Sequence, residues 1–267
     1  MRNAMYLAPF GELSDPRVLV DVAVAAEEAH WDGIFLWDHM WQPPSSVNGM
    51  GDAWITLAAI ASATRTIRLG PMIVPLARRR PQKVARESVS LDLLSDGRLT
   101  VGVGLGVDAN GELSRFGEVV DDRVRGDRLD EALVVLRALW SGDLVRHRGD
   151  HFTADDVDFI PVSKQRPHIP LWGAAWGGSG NRPIRRASAL DGIFPWMTSP
   201  VQLRDMLGIV EQERGTLEGY DVAIVARAPD EAQQMQDAGA NWLIRSLGPD
   251  ASARQAITVA TAGASNW

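Results

Sequence analysis

The sequence has no cysteine, which removes disulfides, thiolate metal sites and cysteine nucleophiles together and suits a reducing cytoplasm. It has no run of about 18 apolar residues, so nothing in it reads as a membrane-spanning helix. The opening Met1–Tyr6 lacks the long apolar segment of a signal peptide, and a cytoplasmic protein is expected. Positive charge is also in deficit: 27 Lys and Arg against 34 Asp and Glu leave a formal charge of −7. The surface as a whole therefore has no attraction for nucleic acid or anionic membrane. Several catalytic signatures are missing too. The five histidines, His30, His39, His147, His151 and His168, contain no His-x-His pair of a barrel metallohydrolase, and no metal site is expected. Gly177-Gly178-Ser179-Gly180-Asn181 misses the nucleophile-elbow spacing, because Asn stands two positions after the serine. No phosphate loop ends in Gly-Lys-Ser/Thr. What remains is chemistry carried by a large organic cofactor acting on a small-molecule substrate.

The patterning that is present repeats one unit. Residues 4–9 read as a first strand, and Ser14-Asp15-Pro16 is a helix-start signal. Val18, Leu19, Val22, Ala23, Ala26 and Ala29 then form the one-sided stripe of a helix lying on a sheet. Gly33–Trp37 is a short buried strand, Asp52 caps a helix over 53–64, and 67–74 reads as a third strand. Pro81 opens a helix that ends at Ser95-Asp96-Gly97, strand four is 98–104, and a long helix covers 122–141 with Gly142 as its stop. Residues 143–169 hold β-leaning pieces and predict a hairpin excursion after the fourth helix. Strands at 170–174, 191–196, 221–226 and 240–246 follow, with helices at about 183–190, 200–216, 229–238 and 250–262. Eight βα units in 267 residues predict a closed (β/α)8 barrel, of roughly 250 residues in its usual form, as one domain over 1–267. All strand carboxyl ends then share one rim.

On that rim the chemistry-bearing residues gather. Asp38 and His39 follow the second strand, and His39 lies between Trp37 and Trp41. It is a proton handler over a planar ligand or a strand-end histidine that hydrogen-bonds a loop. Gly102-Val103-Gly104-Leu105-Gly106 follows strand four and serves either close backbone approach to a ligand or a tight turn. The Gly177-Gly178-Ser179-Gly180-Asn181 run before a helix offers free backbone N–H groups and a helix N-terminus for an anion, with Arg182, Arg185 and Arg186 nearby. Arg78-Arg79-Arg80 is a solvated face or a basic knot that steers an anionic cofactor tail. Trp37, Trp41, Trp172, Trp176 and Trp196 lie at or near predicted strand ends and suggest an aromatic-walled pocket.

Five motifs taken in order resemble the bacterial-luciferase-like superfamily. They are Trp37-Asp38-His39; Ile67-Arg68-Leu69-Gly70 with Arg80-Pro81; Leu91-Asp92-Leu93-Leu94-Ser95-Asp96-Gly97-Arg98; Gly102-Val103-Gly104-Leu105-Gly106; and Arg128-Leu129-Asp130-Glu131-Ala132-Leu133. The resemblance implies a TIM barrel with an insertion at about 143–169. It implies an oxidoreductase that transfers a hydride with coenzyme F-420, a deazaflavin, or alternatively a monooxygenase using FMN from a separate reductase. It also implies a homodimer. His39 matches the residue that handles the transferring proton. Trp37, Asp38, Gly104 and Gly106 fall in the cofactor-binding motifs, Met72–Ile73 matches a non-proline cis peptide against the ring, and Gly177, Gly178, Ser179, Gly180 and Asn181 match the phosphate loop. One departure stands out: sugar-phosphate dehydrogenases of the family have a glutamate directly after the glycine-rich turn, where this chain has Val107. Asp108 or Glu112 would need a loop shift to supply the missing acid, so alcohol oxidation is not carried over. A flavin-binding protein without turnover is the alternative outside enzymology.

Overall fold

Apolar strands followed by helices with one apolar face can satisfy both elements by one arrangement: strands inside, helices outside. The structure, a computed structural model, describes residues 1–43, 45, 47–178 and 180–264. Its elements in order are β1 (Arg2–Leu7), α1 (Pro16–Glu28), β2 (Gly33–Leu36), α2 (Ala53–Ala63), β3 (Arg68–Pro71), β4 (Val74–Pro75), α3 (Pro81–Leu94), β5 (Val101–Gly104), α4 (Asp122–Ser141), β6 (Leu144–Arg148) and β7 (Thr153–Asp158). They continue with β8 (Leu171–Trp176), α5 (Asn181–Ser188), β9 (Gly192–Trp196), α6 (Pro200–Arg214), β10 (Asp221–Ala226), α7 (Pro229–Asp237), β11 (Trp242–Ser246) and α8 (Ala253–Ala262).

Nine strands pair in the order β3-β2-β1-β11-β10-β9-β8-β5-β4, all parallel. β3 and β4 are two pieces of one strand, so the barrel has eight staves. It closes where the Leu69 N–H donates to the Arg98 carbonyl at 3.2 Å and the Thr100 N–H donates to the Leu69 carbonyl at 2.9 Å. Helix starts follow the capping chemistry read in the sequence. Asp15 accepts from the Arg17 N–H and Asp52 from the Ile55 N–H, and Ser199 with Gln202 forms a complete capping box on α6.

The single strand expected over 67–74 is broken at Met72–Ile73, whose peptide bond is cis. Space for that break comes from the next strand. A Cβ on Gly102 would stand 2.7 Å from Ile73 Cδ1, and one on Gly104 would stand 2.8 Å from Ile73 Cγ2. A side chain at either position would push the bulge inward. The Tyr6 hydroxyl, two strands away on β1, donates to the Met72 carbonyl at 2.7 Å.

The amino-terminal end of the barrel is plugged. Trp172 and Trp242 stack edge to face with ring centroids 5.3 Å apart, and each donates its indole N–H to Asp221 at 3.1 Å. This corrects the placement of Trp172 on the rim. β8 runs on to Trp176, so Trp172 is its second residue and points into the floor, fully buried. After α4 the chain makes the antiparallel β6–β7 hairpin, where the Glu131 carboxylate accepts from the backbone N–H groups of His151 and Phe152. Among the described residues no helix is long and apolar enough to cross a membrane, and no cluster of His, Cys, Asp and Glu could hold a metal ion.

Candidate active site

Above the plug, the bore widens into an aromatic chamber. Tyr6 of β1, Trp37 just past β2, and Phe194 and Trp196 of β9 form a ring of contacts with centroids 5.5 to 6.4 Å apart. Trp37 and Trp196 border a cavity of about 640 Å³ at the carboxyl ends of β9, β10 and β11, which Ile224, Val225, Arg227 and Ser246 also line. The Trp37 indole N–H is buried and has no hydrogen-bond partner among the described residues. A buried donor left unmade costs about 1 to 3 kcal/mol, and such donors mark places where a ligand supplies the acceptor.

The His39 ring packs 5.7 Å from Trp37 and 5.9 Å from Phe10, and it opens on a second cavity of about 470 Å³. Behind it lies a chain of buried charges. The His39 Nδ1–H donates to Glu112 Oε2 at 2.7 Å, while Glu112 Oε1 accepts from the Met40 N–H at 2.6 Å and from Arg78 Nη2 at 3.2 Å. Next to it, Asp38 Oδ2 takes Arg79 Nη1 at 2.8 Å and the Trp54 indole N–H at 3.3 Å, and Arg79 also reaches Glu87 at 2.9 Å. Burial alone would raise the Glu112 carboxyl, but His39, the Met40 N–H and Arg78 together hold it below the usual range. For Asp38 burial wins over Arg79, Arg78 and Trp54 and pushes the carboxyl up.

Several residues singled out from the sequence therefore stand on the same rim. Trp37, His39, the Met72–Ile73 bulge and Gly104 are linked through contacts, and Gly104 serves close packing of that bulge. Gly106 adopts φ +75°, with a Cβ there 2.7 Å from Pro75, while Arg125 donates to its carbonyl at 2.9 Å. Gly177 donates its N–H to the Trp196 carbonyl at 2.9 Å, which sets the glycine loop beside the aromatic chamber. Gly178 and Gly180 border open space, and α5 begins at Asn181 without a side-chain cap. Ser179 lies outside the described residues.

The arginines behave otherwise than the sequence suggests. Arg182 pairs with Asp127 and Asp130, Arg186 with Asp130, and Arg185 with Glu213, because α5 packs beside an α4 rich in acids. Arg78 and Arg79 face inward to Glu112, Asp38 and Glu87, so only Arg80 of that triplet is exposed. Glu112 reaches His39 directly, whereas Asp108 turns back to accept from the Leu113 and Ser114 N–H groups and Val107 is exposed. Tyr6 is the site residue that sequence reading passes over, and Arg78, read there as steering a cofactor tail, instead anchors Glu112. The one signal for Tyr6 is a hydroxyl in an otherwise apolar first strand.

A family model described as luciferase-like monooxygenase matches residues 3–264. The chain is 33% identical over 170 residues to an F420-dependent glucose-6-phosphate dehydrogenase of Gordonia bronchialis, covering 62% of this chain and 49% of that protein. It is 34% identical over 163 residues to an F420-dependent hydroxymycolic acid dehydrogenase of Mycobacterium tuberculosis, covering 60% and 44%. This chain thus spans about half the length of the curated relatives it matches. Among solved structures, an F420-dependent secondary alcohol dehydrogenase with an F420-acetone adduct superposes with a TM-score of 0.81 at 19% identity, over 98% of this chain and 97% of that one. The monooxygenase RslO1 of Streptomyces bottropensis superposes with a TM-score of 0.78 at 18% identity, over 97% and 98%. At these identities the structural likeness speaks for the fold.

Proposed function

This chain belongs to the luciferase-like monooxygenase family, and from that premise we propose that it is an oxidoreductase transferring a hydride between coenzyme F-420 and a small organic substrate. The observation that carries the reading is His39, held by a buried carboxylate beside an aromatic chamber that contains an unpartnered indole N–H. The residues fit a flat heteroaromatic ring. Trp37, Trp196 and Tyr6 supply the walls, the Met72–Ile73 bulge supplies a shelf, and Trp37 Nε1 supplies a donor. The glycine loop and the start of α5 would hold the phosphate. A reduced deazaflavin supplies the hydride when bound. The chain's own residues orient the substrate, keep water from the rim and exchange a proton at His39. Because Arg182, Arg185 and Arg186 are each paired, the loop offers a second phosphate no free guanidinium, and the substrate is better matched by an uncharged carbonyl or alcohol than by a sugar phosphate.

One observation favours a second reading on the same fold. Arg78 and Arg79 are consumed by buried carboxylates, so they give the polyanionic tail of F-420 little to bind, and FMN needs no such landing. In this reading the chain is a two-component monooxygenase fed with reduced FMN by a separate reductase. A homodimer accompanies either reading, on the strength of the resemblance alone. Titrating the purified protein with each reduced cofactor separates the two: substrate-dependent dioxygen uptake belongs to FMN, and anaerobic substrate turnover to F-420. His39→Ala should lower turnover by about 10² to 10⁴-fold with cofactor affinity retained. Affinity without any turnover in the parent protein would leave a binding protein and defeat both readings.

A further inference from the structure

We propose that Glu112 is the positioning residue of His39, fixing the imidazole with its proton on Nδ1 so that Nε2 is the nitrogen presented for proton exchange. The proposal rests on the reading of His39 as the proton handler. A carboxylate can only accept, so a 2.7 Å contact between Glu112 Oε2 and His39 Nδ1 requires the hydrogen on that nitrogen. The Gln42 amide nitrogen stands 3.3 Å from the same atom and could bond it only in the opposite tautomer, so the two neighbours compete. Glu112 has the shorter contact and the charge. Gln42 is a neutral amide at the longer distance, and its Oε1 already accepts from the Asn110 amide at 2.6 Å.

The carboxylate is itself pinned, which is what positioning demands. It is 5% exposed, and the Met40 N–H and Arg78 occupy its other oxygen. Neither oxygen can rotate away without leaving a buried donor unmade. Glu112 also carries the acid that Val107 lacks, from five residues further along a loop with no secondary structure of its own beyond a short 3-10 turn at Ser114–Phe116. The loop is tied down at two more points, by Asn110 to Gln42 and by Arg115 stacked 5.0 Å over Trp41.

The charges facing His39 set the sign of the effect. Among the described residues Glu112 is the only carboxylate bonded to the ring. Arg78 stands behind it, Asp38 is turned to Arg79, and Asp52, Arg80, Lys83 and Glu118 line the shared cavity. Removing the Glu112 charge therefore takes away the anion that faces the ring and would stabilise an imidazolium.

The experiment is ¹⁵N nuclear magnetic resonance of histidine-labelled protein without cofactor, with the His39 signals assigned by their loss in His39→Gln. With the ring neutral, parent His39 should show a protonated Nδ1 and a bare Nε2. Glu112→Gln should mix the tautomers and reduce kcat by about ten- to a hundredfold, as loss of an outer partner typically does. His39→Ala with and without Glu112→Gln should have equal kcat, since Glu112 acts through His39. A parent His39 protonated on Nε2 overturns the proposal even if the variant does not fold. So does a Glu112→Gln protein whose His39 tautomer is unchanged. The tautomer is read without cofactor or substrate, so a failure of the F-420 reading would appear separately, as absent turnover in a protein whose His39 is correctly protonated.

Discussion

Replacing Trp37 by Phe sets two effects of known sign against each other. In the free protein the indole N–H is buried without a partner, and its removal relieves about 1 to 3 kcal/mol. The smaller ring gives up the atoms that distinguish indole from phenyl. At about 0.8 kcal/mol per methylene-sized group, that loses roughly 2 kcal/mol of burial against Tyr6, Phe10 and Trp196. The two nearly cancel, so thermal stability should change by no more than about 1 kcal/mol. Cofactor binding has no such compensation. If the N–H donates to a bound ring, its loss weakens affinity about two- to tenfold for a neutral acceptor and about a hundredfold for a charged one. Trp196→Phe is the control, because it makes the same truncation in the same wall without a buried unpartnered N–H among the described residues. Isothermal titration of both variants with F-420 and with FMN reads the difference. Equal losses in the two would refute the assignment of Trp37 Nε1 as a cofactor donor.

Arg98→Met should destabilise by about 3 to 5 kcal/mol and lower Tm by roughly 6 to 20 °C in calorimetry, because the buried guanidinium bonds the carbonyls of Ala61, Thr64, Ile67 and Ser95, and all of these would lose their donor together. The Glu112 carboxyl is held below its ordinary value in the fold, so its contribution is present above the unfolded value near 4.5 and is lost as pH falls through the folded one. Amide protection in the loop around residues 107–118 and at Met40 should therefore collapse, by hydrogen exchange, only once the pH has fallen below the ordinary glutamate value of 4.5. In Glu112→Gln it should be weaker throughout and lose that acid step.

The fold was legible because its signals are local and repeated. The stripe of Leu129, Leu133, Leu136 and Trp140, with Gly142 behind it, gives α4 its observed limits. Asp15, Asp52 and Pro81 mark helix starts that hold in the structure. The break between β3 and β4 was not visible in the residues themselves, since Pro71-Met72-Ile73-Val74 is an unbroken apolar stretch, and only the family resemblance pointed to it. The paired arginines could not be read either. Arg182 finds Asp127 and Asp130 across more than fifty positions, and no spacing rule reaches that far. Trp172 went to the wrong end because the strand was read as ending at residue 174, whereas it runs two residues further, to Trp176.

The His39 network has a further consequence for the reaction it suits. Arg78 faces Glu112, and Arg79 faces Asp38 and Glu87, so each buried cation is already matched by a buried anion. Neither can change protonation state cheaply at that depth. His39 is the imidazole in the network, able to carry a proton on either nitrogen, and its ring is still partly open to the cavity, at 24% side-chain exposure. A proton entering or leaving this end of the rim is therefore most readily accommodated at the imidazole, with Glu112 there to stabilise the added charge. Hydride delivery to a carbonyl leaves an oxygen that must gain a proton, and the reverse reaction must remove one. On the proposed reading, a site whose buried arginines are already paired and whose one partly open imidazole is held by Glu112 suits that pairing, and the charge arrangement supports coupled hydride and proton transfer over cofactor storage.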